Sequence, residues 1–259
     1  MTQSSVVVSV DGRAWALLNA SPDIGVQMRA SPALAPQGLR DSPIHAVVVT
    51  NGDVDHIAGL LTLREKGAFT LYATPATLAV LADNPVFGVL DPAFVTRQAI
   101  ALDHPFTLLP GLEVTAYAVP GKVPLYLEGA TVDTRLTGEQ TVGLRLAGGG
   151  RIVHYLPGCA DLPSALGDRL AEADVILFDG TVWADDDMIR SGTGPKTGER
   201  MGHMAMSGAG GSLQRLSHLK ARRIYTHINN TNPVLLPGPE REAVLAAGWE
   251  IAFDGMEIA

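Results

Sequence analysis
The chain has 259 residues, 46% of them hydrophobic and 18% charged, with a formal charge of −8. That length can bury a sizeable core and is read as one domain over 1–259, while the negative balance offers no footprint for nucleic acid or an anionic membrane surface. A lone cysteine, Cys159, excludes an intramolecular disulfide and any multi-cysteine zinc site. No basic leader precedes an apolar core, and no run nears the roughly 18 apolar residues of a membrane span, so a cytoplasmic location is expected.

The first elements are a β-rich stretch, Ser5 to Val10, an Asp11-Gly12 hairpin turn, and a strand over Ala14 to Leu18. A polar turn, Asn19 to Asp23, leads into a short helix around Ile24 to Arg29, and Ser31 to Ser42 reads as a surface loop. The apolar run Ala46 to Thr50 then breaks into Asn51-Gly52-Asp53-Val54-Asp55-His56, after which Ile57, Leu60, Leu61 and Arg64 recur at helical spacing. Strand, acidic turn and helix follow in that order. Thr70 to Tyr72 resumes a strand, Thr74-Pro75 opens a helix through Leu81, and Asn84 to Pro92 is irregular.

Phe106 to Val119 alternates as a half-buried hairpin, and Gly121 to Gln140, without a period, is expected to be a mobile flap over a site. Thr141 to Leu146 and Arg151 to Leu156 form another hairpin around Gly148-Gly149-Gly150. A helix over Leu162 to Glu172 precedes a buried strand, Asp174 to Phe178, that ends at Asp179. Beyond a Gly-rich flexible stretch and Met201-Gly202-His203 come a helix near Leu213 to Leu219 and a strand, Arg223 to Thr226, ending at His227. Helix Glu240 to Ala247 and strand Glu250 to Phe253 close the chain. The pattern predicts two sheets packed face to face with helices outside.

Strand ends that finish in polar residues are where chemistry converges in α/β folds. Here they carry Asp53, Asp55 and His56, then Asp179, then His227. Histidines with carboxylates suit zinc or iron, and two histidines plus one carboxylate with open positions suit non-haem Fe(II). Each residue also has an ordinary role open to it. Asp55 can cap a helix, Asp179 can cap the turn before Thr181, His56 and His227 can be satisfied core histidines, and His203 can be exposed on a loop. Cys159 reads as a small buried apolar residue. The Gly208 to Gly211 run matches neither a P-loop nor a dinucleotide fingerprint.

The segment Asp53-Val-Asp55-His56-Ile-Ala-Gly59 resembles the latter part of the H-x-H-x-D-H motif of the metallo-β-lactamase fold, an α/β architecture of αββα sandwich type with two packed mixed sheets. Asn51 and Asp53 stand where that motif has two further histidines, so one metal position of the usual two-metal hydrolases has lost its ligands. Asp179-Gly-Thr, Gly202-His203 and Thr226-His227 are similar to the tRNase Z-like branch, with Pro157-Gly158-Cys159-Ala160 in place of its bridging Asp. Asn19-Ala-Ser-Pro-Asp23, Asp179-Gly-Thr-Val-Trp183, Gly198-Glu-Arg-Met-Gly-His203, His227-Ile-Asn-Asn-Thr-Asn-Pro233 and Phe253-Asp-Gly-Met256 resemble the coenzyme PQQ synthesis protein B family. Members of that family usually begin with a segment whose cysteine cluster holds a structural zinc. The resemblance starts after it, so a structural zinc is not expected in this chain.

The resemblance implies an iron-dependent, O2-using hydroxylase, an oxidoreductase of pyrroloquinoline quinone (PQQ) biosynthesis acting on the tyrosine ring of a small Glu-Tyr unit. Asp55, His56 and His227 are the implied metal ligands, for Fe(II) first and zinc as the alternative. Asp53 and Asp179 would orient a ligand or a bound water, His203 would act as acid, base or substrate-orienting group, and Asn229 and Asn230 would hold the dipeptide backbone. Arg64 is expected on an exposed helix face, and a homo-oligomer is left open. Two rival readings are a single-zinc hydrolase of the same fold and a non-catalytic carrier of PQQ or its precursor.

Overall fold
The β-branched and leucine-rich runs pair as strands in the computed structural model, which describes residues 2–39 and 41–258. Strand β1 (Val6–Val8) pairs antiparallel with β2 (Trp15–Leu18), and β3 (Ile44–Val48), β4 (Phe69–Ala73) and β5 (Val95–Ala99) extend that sheet in parallel. A second sheet takes β6 (Pro105–Leu109), β7 (Leu112–Ala118), β8 (Val142–Gly148) and β9 (Arg151–Leu156) as antiparallel neighbours. It continues in parallel through β10 (Val175–Asp179), β11 (Arg222–Thr226) and β12 (Trp249–Ile251).

Alternation along each strand assigns its side chains to two cores. Leu18, Ala46 and Val48 meet Leu144, Tyr155, Leu177 and Ile224 between the sheets. Their neighbours Leu17, Val47 and Val49 point outward and pack with Ile24, Ile57, Leu60 and Leu81. These come from α1 (Ile24–Ala30), α2 (Val54–Ile57), the 3-10 turn Ala58–Leu61 and α3 (Pro75–Asp83). Beyond the other sheet lie α4 (Ser164–Leu170), α5 (Asp187–Arg190), α6 (Gly198–Met201), α7 (Ser212–Arg215) and α8 (Pro239–Ala246). There Ile176, Phe178 and Tyr225 pack on Leu166, Leu170, Leu216 and Val244. Strand β3 is apolar on both faces because both are covered, and the result is the expected αββα sandwich.

Several local readings change. Strand β5 has no counterpart in the sequence reading because it is an edge strand with one buried residue followed by four exposed ones, which leaves no apolar period. The helix expected from Ile57 to Arg64 is one α-turn and one 3-10 turn, with Asp53, not Asp55, at its N-cap. The helix expected over Leu213 to Leu219 shortens to Ser212–Arg215, and the stretch before His203 contains α5 and α6. Arg64 is exposed and pairs with Glu65. Arg40, in the loop expected over Ser31 to Ser42, lies outside the described residues.

Gly59 fixes how closely α2 approaches the Asn19 turn. Its N–H donates to Ala20 O at 2.9 Å and His56 O accepts from Ala20 N at 2.8 Å, while a Cβ at this position would overlap the backbone oxygens of Ser21 and Ala20. Backbone cannot move aside as a flexible side chain can. Gly59→Ala is expected to destabilise the fold by about 3 kcal/mol, read as a fall in melting temperature of about 10 °C. An unchanged melting temperature would show that the contact yields.

Candidate metal centre
Three strand ends deliver the site. Past β3, Thr50 is tied to Asn19, whose Oδ1 accepts from Thr50 N at 2.8 Å, and Val142 N donates to Thr50 O at 3.0 Å. The chain then turns through Asn51 to Asp53 and starts α2 with Asp55 and His56. Strands β10 and β11 run parallel with Asp179 opposite Thr226, so Asp179 and His227 finish side by side. His203 follows α6, whose C-cap Gly202 takes a left-handed φ of +87°.

His227 has a φ of +54°, which is uncommon for a residue other than glycine and recurs at functional sites. Its ring lies between two acceptors, with Nε2 2.9 Å from Asp55 Oδ2 and Nδ1 2.8 Å from Thr181 Oγ1. Burial pulls its pKa down, but the hydrogen bond and charge of Asp55, with Asp179 and Asp53, outweigh that and push it up to about 9. Without a metal, then, His227 is an imidazolium donating to both sides. Burial opposes ionisation of Asp55, yet His56 and His227 hold its carboxyl far below the usual carboxylate range.

His56 is different. It is buried, and burial foremost pushes its pKa down to about 4, so the ring is neutral. Its Nδ1 lies 2.7 Å from Asn51 Oδ1, an acceptor, which makes Nδ1 the protonated nitrogen and leaves the Nε2 lone pair bare. That Nε2 has no hydrogen-bond partner. Ligand atoms from Asp55, His56 and His227 lie within 4.8 Å of one another, and an orphaned buried imidazole nitrogen beside a carboxylate and a second histidine fits a divalent metal ion.

A second group, Asp179, His203 and His227, meets the same distance limit. Its centre holds a protein hydroxyl. Thr181 Oγ1 lies 2.7 Å from Asp179 Oδ1, 3.1 Å from His203 Nδ1 and 2.8 Å from His227 Nδ1. Asp179 is fully buried and also accepts from Cys159 N at 2.9 Å and from His203 Nδ1 at 2.7 Å. Burial would raise its pKa, but His203, His227 and Thr181 hold it below the carboxylate range. This group is a hydrogen-bonded support that orients two histidines, and Asp179 also caps its own turn through Thr181 N at 3.1 Å.

A cavity of about 200 Å³ opens beside these groups, lined by Asn51, Asp53, Asp55, His56, His203 and His227 together with Lys122, Leu125, Lys196 and Met201. Burial raises the pKa of Asp53, with Lys122 opposing. Five residues predicted from sequence, Asp53, Asp55, His56, His203 and His227, thus share one cavity, with Asp179 directly behind His203. Asn229 and Asn230, expected at the substrate, lie elsewhere: Asn229 Nδ2 sits 3.4 Å from Met188 Sδ, Asn230 is exposed, and neither lines the cavity. The block turns away from the site after His227, and its buried member, Asn232, donates to Gly180 O at 2.9 Å.

The flap expected over Gly121 to Gln140 does face the site through Lys122 and Leu125, but it is tethered. Tyr126 Oη donates to Gly52 O at 2.6 Å, and Glu128 bridges Lys122 at 3.0 Å and Arg200 at 2.7 Å. Cys159 is buried with its Sγ on Asp161 O, and burial pushes its thiol pKa up, so it is not a nucleophile here. Thr181, Lys122 and Lys196 are the functional candidates sequence reasoning missed. Thr181 carried a signal, a threonine two residues past a strand-end aspartate, whereas the two lysines sit in aperiodic loops.

A family model of the beta-lactamase superfamily domain matches residues 14–228. Coenzyme PQQ synthesis protein B of Rhizobium meliloti (strain 1021) is 55% identical over 258 residues, 99% of this chain and 85% of that protein. The protein of the same name from Ruegeria pomeroyi is 56% identical over 257 residues, 99% of this chain and 87% of that protein. The crystal structure of Zn(2+)-bound PqqB from Methylobacterium extorquens matches with a TM-score of 0.97 at 55% identity, covering 98% of this chain and 86% of that one.

Proposed function
The chain belongs to the coenzyme PQQ synthesis protein B family of the beta-lactamase superfamily, and from that premise we propose that it hydroxylates the tyrosine ring of a small Glu-Tyr unit in PQQ biosynthesis, using O2 at a single Fe(II) held by Asp55, His56 and His227. The observation that carries this reading is the bare, buried Nε2 of His56 beside one carboxylate and one further imidazole. Two histidines and a carboxylate with open positions are the donor set of mononuclear non-haem iron oxygenases. Zinc fits the same donors, and the zinc carried by the Methylobacterium extorquens relative supports divalent-metal binding within the family. Hydrolysis by paired ions finds less support, since Asn51 is engaged by His56 and Thr181 fills the centre of the neighbouring group.

Bound iron would supply the O2 and one-electron chemistry. The remaining work falls to the chain. Asn51 keeps the His56 proton on Nδ1, and Thr181 does the same for His227. His203 gives its Nδ1–H to Asp179, which leaves Nε2 without a protein partner and able to hold the substrate's phenolic proton. Leu125 and Met201 supply apolar wall for the ring.

Each hydroxylation puts one oxygen atom of O2 into a ring C–H bond and reduces the other to water, consuming two electrons from an added reductant. Protein loaded anaerobically with Fe(II), then given Glu-Tyr, ascorbate and O2, is expected to consume O2 in step with oxygen-atom additions to the dipeptide, read by mass spectrometry. An unmodified dipeptide over protein shown to hold iron stoichiometrically would sink the proposal.

A further inference from the structure
The chain carries 27 acidic side chains against 19 Lys and Arg, yet two lysines line its site cavity. Lys122 is neutralised, because Glu128 lies 3.0 Å from its Nζ while also holding Arg200. Lys196 is not. Half-buried on the loop between α5 and α6, it makes no hydrogen bond or ion pair with any described residue. An ammonium that lines the cavity with no ion pair of its own is available to an anion from outside the chain.

The position is held by the residues that follow it. Thr197, next in sequence, caps α6 by accepting from Arg200 N at 3.1 Å, and Gly198 N donates to Asp185 O at 2.8 Å. The same cavity is lined by Asp53, Asp55, His56, His203 and His227, with Leu125 and Met201 as apolar wall. A ligand fitting this lining has an aromatic or apolar body directed at the metal-ligating side chains and a negative charge directed at Lys196. The carboxylates of the lining are Asp55, grouped with His56 and His227, and Asp53 two residues before it, so charge favours a ligand whose anionic end meets Lys196.

We propose that Lys196 binds a carboxylate of the substrate and makes the site selective for anionic tyrosine derivatives, an inference that rests on the function proposed above. Zinc has no redox chemistry, so the zinc-loaded protein separates binding from oxygen chemistry. Titration calorimetry with Glu-Tyr, its C-terminal amide and Gln-Tyr is expected to show wild-type protein preferring Glu-Tyr over at least one amide by about tenfold. Lys196→Met should bind all three alike, and Lys196→Arg should retain the preference. If Lys196→Met still prefers the acid, Lys196 is not the anchor, although the substrate stands. If zinc-loaded wild-type protein binds none of the three, the Glu-Tyr reading falls and this inference with it.

Discussion

Asp55→Ala is expected to leave a folded protein that no longer takes up iron or zinc stoichiometrically and whose turnover is down by more than about a hundredfold, beyond the range seen when groups that merely orient a ligand are removed. The fold should survive because the Asp55 side chain is 42% exposed and its one hydrogen bond is to His227 Nε2. The loss has two parts. One of three donors disappears, and the carboxylate that balances a divalent charge disappears with it. In wild-type protein the His227 proton, held with a pKa of about 9, must leave before Nε2 can ligate. Metal affinity should therefore rise with pH, by about tenfold per unit, and level off near 9, because the free site binds a proton that the metal-bound site does not. Without Asp55 the largest influence raising that pKa is gone, so the pH slope should flatten at neutral pH along with the affinity. Elemental analysis reads metal content, calorimetry in buffers of different ionisation heat reads the proton release, and a melting curve reads the fold. Full metal occupancy in Asp55→Ala would show that Asp55 is not a ligand.

The sandwich was legible because the central strands of both sheets bury both faces. Runs such as Ala46 to Val49 need no partner in view to read as interior strands, and the strand-end positions of Asp55, Asp179 and His227 follow directly. Strand β5 was not legible, since an exposed edge places few demands on its side chains. In the site, the histidines and aspartates at strand ends could be read from sequence as neighbours of one cavity, while Thr181 and the two lysines, whose place depends on how loops fold back, could not. Asn51 reads in the sequence as a missing histidine. In the structure its Oδ1 accepts from His56 Nδ1 and also from Asp53 N at 3.0 Å, so the residue that stands in place of one histidine also fixes the tautomer of another. Asn229 and Asn230 lie outside the cavity for the opposite reason. Adjacency to His227 in sequence does not survive the left-handed turn at His227 itself.

Thr181→Val is expected to lower metal affinity or turnover by about 10- to 100-fold, with a fall in melting temperature of about 5 °C. Valine keeps the shape and removes a hydroxyl that does several things at once. It donates its single proton to the ionised Asp179 Oδ1 at 2.7 Å, so its lone pairs are free to accept from His227 Nδ1 at 2.8 Å. Without that acceptor, His227 Nδ1–H is left unsatisfied and the preference that keeps Nε2 free for a ligand weakens. Asp179 simultaneously loses one of the donors compensating its complete burial, while those from Cys159 N and His203 Nδ1 remain. A packing role alone would be rescued by valine and harmed by serine, whereas the hydrogen-bonding role predicts the reverse. Thr181→Ser should therefore recover most of the wild-type metal affinity and oxygen consumption. Equal affinity and turnover in wild-type protein and Thr181→Val would leave the hydroxyl as a spectator between His203 and His227.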